Sequence, residues 1–99
     1  MKRILFAVIA IIALMPFTAA ADAPAKEPLC QTCHGANGAK PILPMYPKIN
    51  GQSKEYFISA VNQYKNKQRT GGMSALMMAQ SMSLTDDEIA ALAEYYADK

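Results

Sequence analysis

Ninety-nine residues, 52% of them apolar and with 10 basic against 8 acidic side chains, bound the chain to one small domain. The positive charge is concentrated at the N-terminus: without Lys2 and Arg3, eight basic residues face eight acidic ones and the net charge is zero. No basic stripe with interleaved aromatics is left, which counts against nucleic acid as a partner.

The first element is a basic start at Lys2 and Arg3, an apolar run from Ile4 to Met15, a break at Pro16 and the small-residue segment Thr18 to Ala23. This three-part layout predicts a secretory signal peptide over residues 1–21, cleaved after Ala21. The run falls short of the roughly 20 apolar residues of a membrane-spanning helix. Residues 22–99 are then the mature domain, and the compartment is the periplasm. A side-chain core alone is marginal at that size, so a staple of some kind is expected.

Asp22 to Pro28 leaves room for a turn or two of helix running into Cys30. Gly35 to Gly51 carries three glycines and three prolines and reads as an irregular loop. A loop that long in so small a domain usually wraps something or carries function. From Ser53 to Lys67 the apolar residues Phe57, Ala60, Val61 and Tyr64 recur on one helix face, with Ser53 as the cap. Gly71-Gly72 stops any helix before it. Ser74 to Ser81 is a methionine-rich candidate helix. Thr85-Asp86-Asp87-Glu88 matches a capping box, and Ile89, Leu92, Ala93 and Tyr96 follow as a second apolar stripe. Without an alternating β-branched run, the predicted fold class is all-α.

The chemistry is concentrated in Cys30-Gln-Thr-Cys33-His34, which holds both cysteines and the only histidine. A disulfide between the two thiols would close a tiny loop and constrain the unfolded chain weakly. A redox dithiol normally sits beside a βαβ pattern, and a structural zinc site needs four ligands. Covalent haem needs neither. C-x-x-C-H is the attachment signature of c-type haem: two thiols on a helical turn reach two vinyl groups, and the adjacent imidazole lies under the iron.

With its C-x-x-C-H-G motif, the Pro-containing loop "LPMYPKINGQ", the segment "YFISAVNQYKNKQRT" and the closing "LTDDEIAALAEYYA", the chain resembles a class I cytochrome c. The likeness is to the small bacterial mono-haem cytochromes of the c4, c5 and c553 kind. It implies a few helices wrapped around one haem, with a shortened helix before Cys30. It also implies a methionine opposite His34 as sixth ligand, and the family's spacing from Leu84 lands on Met77. Met78 is the alternative, and Met73 and Met82 lie one turn to either side. By the same resemblance the carbonyl of Pro44 accepts from the His34 ring, and Tyr46 and Arg69 approach the haem propionates. Lys40, Lys48, Lys54, Lys65 and Lys67 are candidates for a docking face.

The function so implied is single-electron transfer between redox proteins, soluble or membrane-bound, by a carrier with both axial positions filled. Such a protein is not an enzyme and takes no small-molecule substrate. The alternative is a dedicated haem c subunit of a larger oxidoreductase, a flavocytochrome or an oxidase assembly.

Overall fold

The computed structural model describes residues 22–99; the predicted signal peptide, residues 1–21, lies outside the described residues. Four α-helices follow one another, α1 (Glu27–His34), α2 (Lys54–Lys65), α3 (Ser74–Met82) and α4 (Asp86–Ala97), with a short 3-10 turn at Ala36–Gly38. No strand occurs among the described residues, as the all-α expectation requires. None of these helices is long and apolar enough to cross a membrane.

Each helix begins where its sequence lowers the cost of beginning. Pro28 sits in the first turn of α1, where its missing N–H would be unpaired in any case, and Glu27 faces the positive end of the dipole. Ser53 caps α2 by accepting from the Tyr56 N–H at 3.1 Å. Thr85 and Glu88 form the full reciprocal box on α4: the Glu88 N–H donates to Thr85 Oγ1 at 3.2 Å and the Thr85 N–H to Glu88 Oε1 at 3.0 Å.

Helix α2 stops two residues short of the predicted Lys67. Lys67 itself stands in the left-handed region at φ 59°, its N–H bonding the Tyr64 carbonyl while the Gln68 N–H bonds the Gln63 carbonyl. This 5→2, 6→1 pair is a Schellman closure, built here on a lysine where glycine is usual. Gly71-Gly72 lies beyond the end of the helix and does not terminate it. Helix α3 runs one residue past its predicted end, to Met82.

Helix α4 is the spine of the core. Ile89, Leu92, Ala93 and Tyr96, the predicted stripe, are all buried, and Phe57 and Val61 of α2 pack against them together with Leu84. The Phe57 and Tyr96 rings stack at 5.8 Å between centroids. Ala60 and Tyr64, the other half of the α2 stripe, are only partly buried and face a cavity instead. Helix α3 packs along α2.

Helix α1 is short, as expected, and starts three residues before Cys30. It is tied to α4 by the Tyr96 hydroxyl, which donates to Glu27 Oε1 at 3.0 Å in the interior. Gly38 makes a second close approach on the same side. A Cβ there would lie 2.5 Å from Ile49 Cγ1 and 3.0 Å from the Tyr96 ring. Seven buried apolar residues, the larger of them contributing about 1.5–3 kcal/mol each when fully buried, make a small core. The apolar wall that α2 turns away from it is the surface left to be covered.

Candidate haem site

One cavity of about 440 Å³ opens between α1, α2, α3 and the loop that precedes α2. That volume lies within the ~300–1,000 Å³ usual for cofactor sites. Helix α1 presents Cys30, Cys33 and His34 to it; α2 contributes Phe57, Ala60, Val61 and Tyr64; α3 contributes Met77.

The α1 wall is set by helical geometry. Cys30 and Cys33 are one turn apart, half-buried and unpaired, with no disulfide between them. Burial, reinforced by the Glu27 carboxylate, pushes the Cys30 thiol up to about 11. Behind the two cysteines Gly35 ends the helix at φ 78°, and a side chain there would run into the Lys40 backbone. The role of Gly35 is therefore to let the chain turn back on itself. That turn carries the Ile42 N–H to the Cys33 carbonyl at 3.1 Å and closes the loop under α1.

His34 is 5% exposed, and its Nδ1 lies 2.7 Å from the Pro47 carbonyl oxygen. A carbonyl only accepts, so Nδ1 carries the proton and the Nε2 lone pair is left free for a metal. The acceptor is Pro47, which corrects the expectation of Pro44. The reason is a turn: the Tyr46 N–H bonds the Leu43 carbonyl at 3.1 Å, which puts Pro44 at the second position of a four-residue turn. Proline's preset φ suits that position, and Pro44 is turned out to solvent. The chain returns to the His34 ring three residues later.

The methionines divide by position. Met77 is half-buried in the cavity wall, and Met73 and Met45 lie at its mouth, 40% and 64% exposed. Met78, rotated by about 100° on the helix, is not part of the lining, and neither is Met82.

Two thiols, one imidazole with a free Nε2 and the thioether of Met77, with Met73 and Met45 at the mouth, thus meet in an apolar cavity. This donor set fits a covalent porphyrin. The cytochrome c family matches residues 22–97. The chain belongs to that family.

Among relatives, this cytochrome is 40% identical to cytochrome c-554(548) of Halomonas halodenitrificans over 70 residues, which is 71% of this chain and 83% of that one. It is 35% identical to a cytochrome c4 of Pseudomonas aeruginosa over 81 residues, 81% of this chain and 38% of the other. A third similar protein is the cytochrome subunit of sulfide dehydrogenase of Chlorobaculum tepidum, 35% identical over 69 residues and matched over 58% of its length. The cytochrome spans little more than a third of the c4 relative. Its family carries covalent c-type haem and transfers electrons, and the C-x-x-C-H of the family is Cys30 to His34.

Tyr46 lies beside His34, ring centroids 6.4 Å apart, and lines the cavity. Arg69 lines it too, held from three sides. Its Nε donates to Gln63 Oε1 at 2.9 Å, Nη2 to the Tyr56 hydroxyl at 3.2 Å and Nη1 to the Tyr64 hydroxyl at 3.4 Å. The Tyr64 and Tyr56 hydroxyls raise its already high pKa further, so it is a fixed cation at the rim. This clasp was not legible in the sequence, although Tyr56 and Tyr64, two turns apart on α2, share a face.

The lysines do not form one uniform docking face. Lys65 donates to the Leu84 carbonyl at 2.7 Å and so ties α2 to the start of α4. Lys54 approaches Glu94 at 4.0 Å. Lys40, Lys48 and Lys67 are exposed.

Proposed function

We propose that the protein is a periplasmic single-electron carrier in which Cys30 and Cys33 hold the haem, His34 Nε2 binds one face of the iron and Met77 the other. The observation that carries this reading is that His34, fixed by Pro47, and Met77 line one cavity while Met78 does not. Haem bound there supplies a one-electron couple. The chain's own residues orient the imidazole, exclude water with the apolar wall of α2 and hold a fixed positive charge at Arg69. Thioether ligation opposite histidine favours a high potential and an iron with no open position, which suits a carrier. Tyr46 and Arg69, which both line the cavity, would receive the propionates. The periplasmic location rests on the segment over residues 1–21.

The test is the visible spectrum of purified holoprotein and of its Met77→Ala and Met78→Ala variants. Loss of the thioether ligand-field band in the oxidised Met77→Ala protein alone is expected. A normal band in that variant, or its loss in Met78→Ala, would overturn the assignment. Intact mass of the secreted protein reports both haem attachment and cleavage after Ala21.

A second reading is a haem subunit of a larger oxidoreductase. The similarity to a sulfide dehydrogenase subunit favours it, as do the exposed apolar side chains Ile42, Leu43 and Met45 on the loop beside the cavity mouth. Native-mass purification separates the two: a carrier elutes without a stoichiometric partner.

A further inference from the structure

Glu27 is 4% exposed, yet both ion pairs among the described residues, Lys26–Glu88 and Lys54–Glu94, leave it out. A carboxylate removed from water without a cation is costly, so its surroundings must stabilise the charge in some other way. Two features do so. Glu27 stands in the first turn of α1, at the positive end of the helix dipole, and Oε1 accepts from the Tyr96 hydroxyl at 3.0 Å. Burial, with Cys30 and Glu27 beside it, pushes the Tyr96 phenol well above the usual range, so the hydroxyl keeps its proton and remains a donor.

Glu27 and Cys30 lie one turn apart on α1, and Cys30 packs against the core that contains Tyr96 while lining the cavity. The carboxylate therefore stands one helical turn from a side chain that would carry the porphyrin.

We propose that Glu27 is a potential-setting residue: its buried carboxylate, one helical turn from Cys30 and hydrogen-bonded by Tyr96, stabilises the oxidised haem and lowers the reduction potential. Oxidised haem carries one more positive charge than reduced haem, and only the electron is exchanged. In a low-dielectric interior an unpaired negative charge favours the oxidised state more strongly than an exposed carboxylate does. The inference rests on the haem-carrier reading above.

The experiment compares holoprotein with Glu27→Gln and Glu55→Gln variants, each equilibrated at neutral pH with a ferri/ferrocyanide couple poised at the wild-type midpoint. Glutamine keeps an oxygen for Tyr96 and removes the charge; Glu55 is exposed on α2 and serves as the control. In Glu27→Gln the ferric-to-ferrous ratio should fall roughly fivefold or more, the order expected of one partly buried unit charge at an effective dielectric near 20. In Glu55→Gln it should change by less than about twofold, because exposed charges are screened.

Should Glu27→Gln not mature, Glu27→Met removes the charge at similar volume and should shift the ratio in the same direction. An unchanged ratio in the variant that matures overturns the proposal, even if thermal stability falls. An equal shift in Glu55→Gln overturns it as well. Wild-type protein without covalent haem, or without the histidine–methionine spectrum, would instead sink the carrier reading itself.

Discussion

His34 Nδ1 donates to the Pro47 carbonyl oxygen at 2.7 Å, across thirteen residues of loop. The bond fixes the tautomer of the only histidine and the angle at which its ring meets the cavity. It also makes Pro47, and not Pro44, the residue whose rigidity the site feels.

Replacing Pro47 by alanine keeps the carbonyl but frees the backbone that aims it. In the holoprotein, exchange of the His34 Nδ1–H with solvent should be faster in Pro47→Ala, with stability lower by about 0.5–1 kcal/mol. Pro44→Ala, in the outer turn, should lose a similar few tenths to ~1 kcal/mol with Nδ1–H exchange unchanged. Proton NMR of the two variants reads the difference. Faster exchange in Pro44→Ala would contradict the geometry.

Gly38 has φ 66° and no room for a side chain between Ile49 and Tyr96. Two penalties combine there, left-handed strain and overpacking, so Gly38→Ala should cost more than about 2 kcal/mol. Gly71, at φ 94° with nothing within 4 Å, carries the strain alone, and its alanine variant should lose only about 1 kcal/mol. Thermal unfolding of the two holoproteins gives the comparison.

Lys67 closes α2 in a conformation that costs an L-residue with a Cβ roughly 1–2 kcal/mol. Glycine removes that strain and gives back part of the gain through a freer unfolded chain. Lys67→Gly should therefore raise stability by about 0.5–1 kcal/mol. A drop in the unfolding midpoint would mean that the lysine side chain makes a contribution the backbone geometry does not reveal.

Glu88 is held below the usual carboxylate range, first by the Thr85 backbone N–H and further by the Lys26 charge. A depressed folded pKa contributes stability that is present above the unfolded value and lost as pH falls through the folded one. Stability of the wild-type holoprotein should therefore decline as the solution is acidified from about pH 5. Glu88→Gln should show a shallower decline in that window. Thr85→Ala, which removes the cap itself, should cost about 1 kcal/mol at neutral pH. Parallel pH–stability curves for wild type and Glu88→Gln would count against the box.

What could be read before any fold was known was local in its physics. The stripe Ile89, Leu92, Ala93, Tyr96 and the Thr85–Glu88 box need only helical spacing, and both are present in α4. Ser53 as the cap of α2 is of the same kind. Cys30, Cys33 and His34 fall within a single α-helix because their spacing is that of a turn, and the family signature they form could be recognised for the same reason. The Schellman end at Lys67 was not legible, since left-handed lysine has no composition signal and the nearby glycine pair was the better omen.

The remainder depended on distance through space. Pro44 and Pro47 sit in the same loop with the same chemistry. Only the turn closed by Leu43 and Tyr46 decides which carbonyl reaches His34. Arg69 looks like any surface arginine until α2 brings Tyr56, Gln63 and Tyr64 around it, and Lys65 like any helix-end lysine until Leu84 arrives. Glu27 and Tyr96 meet across sixty-nine residues. The sequence by itself determined the helices, their caps and the haem-attachment motif, because those follow from neighbours one turn apart. Only the tertiary structure decided which carbonyl meets His34 and which polar and charged groups gather around the cavity, because loop closure and helix packing set those distances.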